Sequence, residues 1–288
     1  MQNALGCKDQ VSDVTASSPE GVDLDVIGYN LGSPAPTPAP VPATFGNIST
    51  RLRVETGDLI GGFIVTGTRP KKIIARAIGP SLPVAGRLPD PLLELHDSSG
   101  DLIASNNNWR SDQEAKIAAT GIAVAKDSES AIVMTVDPDS YTAIVKGAQG
   151  GSGVALVEVY DLDSSVDSRL ANISTRGLVQ TDDNVLIGGF IVLGTDPARP
   201  LLRAIGPSLP VTGALADPTL ELHDKDGTTI ASNDNWRSDQ EADVIATAFL
   251  RQRTPSQPFS PPSLPTPTPR SYGARTTRQV WAWSKCTS

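Results

Sequence analysis

The sequence predicts an all-β protein built as tandem antiparallel β-sandwich repeats, with one short helix each and the second copy truncated. Three observations predict this. Long stretches recur once at a fixed offset. Within a copy, short β-branched runs are bounded by Gly, Pro, Asp or Asn. With 25 Gly and 24 Pro in 288 residues, the chain is punctuated too often for long helices.

The repeat sets the boundaries. "NISTR" begins at Asn47 and again at Asn172, "IGGFIV" at Ile60 and Ile187, "RAIGPSLPV" at Arg76 and Arg203. "ELHD" begins at Glu94 and Glu221, and "NWRSDQEA" at Asn108 and Asn235. From "IGGFIV" onward the offset is 127 residues; before it the offset is 125, because the first copy lacks two residues. A period of this length fits whole domains in tandem rather than a solenoid. The expected division is repeat one over 45–168 and an incomplete repeat two over 169–248. Upstream, 33–44 is a Pro-rich linker whose alternating prolines favour extended polyproline II. Residues 1–32 are then a fragment of an upstream domain, too short to hold a core and poorly ordered.

In repeat one the predicted strands are "LIGGFIVTG", "KKIIARAI", "LLELHD", "DLIAS", "SAIVMTV", "SYTAIVKG" and "GVALVEVYDL". "YTAIVKG" alternates, with Tyr141, Ala143 and Val145 on one face and Thr142, Ile144 and Lys146 on the other. "GVALVEVYDL" alternates too, with Val154 and Leu156 on the face suited to a half-buried sheet. Only "SDQEAKIAATG" has helical character, with Ser111 and Glu114 spaced as a capping box and Gly121 as its stop. Seven or eight short strands with one helix indicate two packed antiparallel layers.

The second copy tracks the first through "EADVIAT" and then departs. Beyond Ala248 there is no Asp or Glu, and 249–288 reads as a disordered basic Pro-rich tail. A sharper reading is a one-base frame shift near Thr247 or Ala248. Codons chosen for 269–288 and read one base earlier encode "TAIVRGKNNTPGVGLVEVYE", against "TAIVKGAQGGSGVALVEVYD" from Thr142 to Asp161, with 12 of 20 positions identical. On that reading Trp281, Trp283 and Cys286 carry no function. Repeat two also loses the equivalents of "SAIVMTV", "SYTAIVKG" and "GVALVEVYDL", leaving open edges and an uncovered apolar face.

Net charge −8 argues against nucleic acid as a partner, and no run of eighteen apolar residues offers membrane insertion. Cys7 and Cys286 lie at opposite ends, so no structural disulfide is expected. The start shows no basic segment followed by an apolar one, so no signal peptide is read in this chain. His96 and His223 are repeat equivalents, and "GPSLP" is turn chemistry rather than a nucleophile elbow, so no catalytic residue is expected. Oxygen-rich turns make calcium the candidate cofactor. Its ligands would be Asp97, Asp101, Asn106 and Asn107 in repeat one, and Asp224, Asp226, Asn233 and Asp234 in repeat two. The alternative is that these residues serve the turns themselves. Trp109, with Trp236 its equivalent, is the candidate for stacking on sugar; its other reading is an anchor for the helix.

"NISTRG…DNVLIGGFIV…LLRAIGPSLP…DPTLELHDKDGTTIASNDNW" resembles a repeat of large secreted or surface proteins of environmental bacteria. The second half of the repeat, "DPLLELHDSSGDLIASNNN…SYTAIVKG…GVALVEVYDL" in the first copy, is similar to the bacterial pre-peptidase C-terminal domain, which implies a jelly-roll-like sandwich. Residues 1–32, with "GVDLDVIGYNLG", resemble the closing segment of secreted zinc metallopeptidases, although no HExxH occurs in this chain. These resemblances imply a non-catalytic module, secreted or displayed at the cell surface, acting as spacer, adhesion or substrate-proximity element. They also imply that Met1 is an internal methionine of a longer protein. Two alternatives stand: an accessory fragment of a secreted metallopeptidase, and a carbohydrate-binding module with a polysaccharide or cell-surface polymer as partner.

Overall fold

The sequence of repeat one alternates strand-forming runs with turns, and the chain follows it. The computed structural model describes residues 40–55, 57–181 and 184–247, and the backbone of 278–284. The expectations for 1–32, for most of the linker and for the rest of the tail lie outside the described residues. Repeat one contains β1 (Thr44–Val54), β2 (Leu59–Thr66), β3 (Lys71–Ile78), β4 (Pro91–His96), β5 (Leu102–Asn106), helix α1 (Glu114–Ala118), β6 (Ser130–Val136), β7 (Ser140–Gly147) and β8 (Gly153–Asp161). All strand pairs are antiparallel. They form two layers, β6-β3-β8-β1 and β5-β4-β7-β2. The protein is therefore all-β, as the alternation predicts.

Between the layers lies one apolar core that includes Phe63, Ile73, Leu93, Leu95, Ile132, Val145 and Val157. Tyr141, Ala143 and Val145 face it, as predicted, and Tyr141 stacks on Phe63. In β8 the register is the other one. Ala155, Val157 and Val159 face the core, while Leu156 is only half-buried. The sequence could not choose between the two faces because both are apolar apart from Glu158.

Helix α1 does not sit between the layers. Its Ile117 joins Trp109 and Val124 in a second cluster, laid on Ile74, Ala131 and Val133 on the outer face of β3 and β6. The predicted capping box is not formed. The residue before the helix is Gln113, whose side chain instead accepts from Val133 N–H at 2.8 Å. Ser111 Oγ donates to the Asn108 carbonyl, and Glu114 pairs with Arg110. The helix ends earlier than expected, at Ala118 with Ala119 as its cap, and Gly121, at φ +72°, turns the chain away two residues later.

Repeat two contains β9 (Arg169–Arg176), β10 (Leu186–Leu193), β11 (Leu220–His223), β12 (Thr229–Asn233), helix α2 (Glu241–Ala246) and β13 (Arg278–Ser284). The two repeats are joined by more than abutment. β1 pairs with β10, and β9 pairs with β2. The first layer of repeat one thus runs on through β10, β13, β11 and β12 of repeat two, while its second layer is extended by β9.

Two differences from expectation concern repeat two. Within 249–288, where the composition predicts disorder, Arg278–Ser284 is a strand between β10 and β11. It occupies the place that β7 holds in repeat one: Ala282 lies opposite Gly188 and Leu222, as Ala143 lies opposite Gly61 and Leu95. "RQVWAWS" has the β-branched and aromatic content of a strand, and an unfilled slot between two edges accepts it. One of the three places expected to be empty is thereby taken. The other two, those of β6 and β8, hold no strand among the described residues. The stretch 198–205, equivalent to β3, is not a strand either. β3 hydrogen-bonds to β6 and β8 alone, and Pro200, which has no N–H, stands where repeat one has Ile73.

Exposure records the consequence. Trp109 is 5% exposed and its equivalent Trp236 is 40% exposed. Leu93 and Leu95 are fully buried, whereas Leu220 and Leu222 are half-buried.

Candidate functional site

The acidic turn between β4 and β5 is built by Asp97. Its Oδ1 accepts from the N–H groups of Ser99 at 2.9 Å and Asp101 at 3.0 Å, and Gly100 takes φ +86° to close the turn. Repeat two reproduces it: Asp224 Oδ1 accepts from Asp226 and Thr228, and Gly227 has φ +81°. Asp226 additionally pairs with Lys225. Asp97 and Asp101 therefore come together. Asn106 and Asn107 do not join them, because β5 separates the two groups by its five residues, about 17 Å of extended chain. Asn106 Oδ1 accepts from Ala131 N–H, and its amide donates to the Asn108 carbonyl. Asn233 likewise donates to Asn235, whose own amide donates to Asp234. The six to eight oxygens that calcium requires thus do not converge in either repeat. Among the described residues no group of three His, Cys, Asp or Glu is placed to hold a metal ion.

Trp109 belongs to the cluster under α1, with the Arg110 guanidinium 4.2 Å from its ring centroid. Burial and the guanidinium leave no ring face open to a sugar, which corrects the stacking expectation for this residue. His96 contacts the Gly100 carbonyl through Nδ1 and Glu94 through Nε2, and His223 repeats this with Gly227 and Glu221. Both histidines clamp their hairpins.

The chemically dense region is one that sequence reasoning missed. Glu129 is fully buried just before β6. Its Oε1 accepts from Gly79 N–H, Ser81 N–H and the Ser81 hydroxyl; its Oε2 accepts from Ala125 and Lys126 N–H. It ties the "IGPSLP" turn to the loop after α1. On the outer face of β3 and β8, Arg76 pairs with Glu158 and donates to the Ile122 carbonyl. The Tyr160 hydroxyl joins the pair, and burial followed by the Glu158 charge pushes its pKa up to about 12. Lys71, fully buried, donates to Asp161 at 2.9 Å and to the Asp163 carbonyl at 2.6 Å. A faint signal for the middle group exists in the sequence: a single carboxylate inside "VALVEVY". Nothing local signals Glu129, whose partners are backbone N–H groups of two distant loops.

These groups satisfy one another: each buried charge meets an opposite charge or a set of backbone donors. Their chemistry is the closing of loops and layers. A scan against protein-family models finds no match to the sequence, and a search of curated proteins finds none either.

Proposed function

We propose that this chain is a non-catalytic spacer module of a secreted or surface protein, in which successive copies are fused into one stiff body. The observation that carries the reading is the junction. Two strand pairs, β1–β10 and β9–β2, carry both layers of repeat one into repeat two. The loop between the copies, from Asp161 to Arg169, is short and is itself tied down, by Ser168 to Arg69 and by Asp167 to Thr68. Such a junction resists bending, whereas domains on a flexible linker reorient freely. The buried charges of repeat one support the same reading, since they are engaged in holding loops.

The test is retention on insoluble polysaccharides and on cell-envelope fractions, run with the whole chain. A spacer stays in solution with every polymer. Saturable retention on one of them would replace this reading with a binding module.

A further inference from the structure

We propose that the face formed by "NISTR" and "IGGFI" is a self-complementary association surface whose partner is another copy of the same repeat. The inference does not rest on the spacer reading; a binding module would carry the same surface.

The register of the junction is symmetric. In β1–β10, Arg51 lies opposite Ile187, Thr50 opposite Gly188, Ser49 opposite Gly189, Ile48 opposite Phe190 and Asn47 opposite Ile191. In β9–β2, Arg176 lies opposite Ile60, Thr175 opposite Gly61, Ser174 opposite Gly62, Ile173 opposite Phe63 and Asn172 opposite Ile64. Each pair in one ladder is the repeat equivalent of a pair in the other. Even the irregularity recurs, after Phe45 in the first ladder and between Asn172 and Leu170 in the second. The junction is thus an isologous interface between two halves of one chain.

The axis can be located. Phe45 pairs with Leu170, and these are equivalent positions. The hydroxyls of Thr50 and Thr175, also equivalent, lie 2.5 Å apart. Only residues beside a two-fold axis meet their own equivalents. Nothing in these contacts depends on which copy is first in the chain, so the surface cannot distinguish its tandem neighbour from a copy on another molecule. A copy without its neighbour presents the edges of β1 and β2 side by side, two open ladders that one partner of the same kind closes together.

The experiment uses the whole chain with a protease site inserted after Ser164 and with Cys7→Ser and Cys286→Ser. After cleavage under native conditions the two fragments are expected to co-elute at the mass of the intact chain. Unfolding a cleaved Thr50→Cys protein in urea and refolding it lets N-terminal fragments meet each other as readily as they meet C-terminal ones. Mild oxidation is then expected to double the apparent mass of that fragment, since the Thr50→Cys thiols face one another across the axis. The same treatment of Ser99→Cys, on the exposed turn at the far hairpin, is expected to leave it single. Fragments that separate on cleavage, or that stay together but give no Thr50→Cys cross-link, would each overturn the proposal. Before cleavage, the Thr50→Cys/Thr175→Cys chain is expected to close an internal disulfide; its failure to do so would overturn the axis itself.

Discussion

Replacing Glu129 with glutamine should be nearly as damaging as replacing it with alanine. Both oxygens of this buried side chain face only donors: three at Oε1, from Gly79 and Ser81, and two at Oε2, from Ala125 and Lys126. Alanine orphans all of them. Hydrogen bonds to a charged group contribute about 1.5–3 kcal/mol each, but such losses are not additive. Ser81, Ala125 and Lys126 lie near solvent, so water recovers part, and the expected cost is about 3 kcal/mol. Glutamine keeps one acceptor but must turn its NH2 toward two backbone N–H groups whichever way the amide is flipped. We expect about 2 kcal/mol, equivalent to a melting shift of roughly 6 °C for a domain of this size. The assay is urea unfolding followed by circular dichroism for wild type, Glu129→Gln, Glu129→Ala and Ser81→Ala. Ser81→Ala removes a single donor and should cost about 1 kcal/mol. A glutamine variant within about 0.5 kcal/mol of wild type would mean that the Glu129 oxygens do not face donors alone.

Other consequences can be checked the same way. Gly79→Ala should destabilise repeat one by about 2 kcal/mol, because its Cβ would stand 2.1 Å from the Leu88 backbone oxygen, a clash only backbone movement relieves; an unchanged urea midpoint would contradict this. The Lys146 hydrogen bond, followed by His96, holds the Glu94 carboxyl below its ordinary 4.5. That contribution is therefore complete above pH 4.5 and is lost as the pH falls through the lowered value. Acid titration of stability should show a shallower fall in Glu94→Gln. Tyr160 ionises near 12 rather than 10 in the folded chain; stability is then full below pH 10 and declines toward 12, and the latest step in ultraviolet absorbance should vanish in Tyr160→Phe. Repeat two, with Trp236 and Ile230 at 40% and 52% exposure, should bind a hydrophobic dye and aggregate on mild heating before repeat one unfolds; a protease-resistant, cooperatively melting second repeat would contradict it.

Much of repeat one was legible from local pattern. "KKIIARAI", "SAIVMTV" and "SYTAIVKG" are strands with those same bounds, since β-branched alternation and flanking turns are local properties. Asp97 and Asp224 serve the turns, the alternative the sequence offered for them, while Asn106 and Asn233 end strands, so the candidate metal residues are not one constellation. Proximity in sequence placed Asp97 beside Asn107, and an extended strand keeps them apart. Trp109 was ambiguous because burial is not a local property. The capping box failed because Gln113, Ser111 and Glu114 each found a better partner outside the helix.

The repetition, the β-branched alternation and the turn residues are legible in the sequence, and they bound β2 to β8 to within a residue, although β1 and β9 are not among the strands read from it. The sequence match between the copies also stops visibly after Thr247. How the copies meet is a matter of tertiary strand pairing. Hydrogen bonds between strands are made by backbone groups common to nearly every residue, so no side-chain pattern announces that β1 will seek β10 and β9 will seek β2. The same physics placed Arg278–Ser284 in a slot meant for another strand. An open ladder selects for extended chain and β propensity, and the tail supplied both.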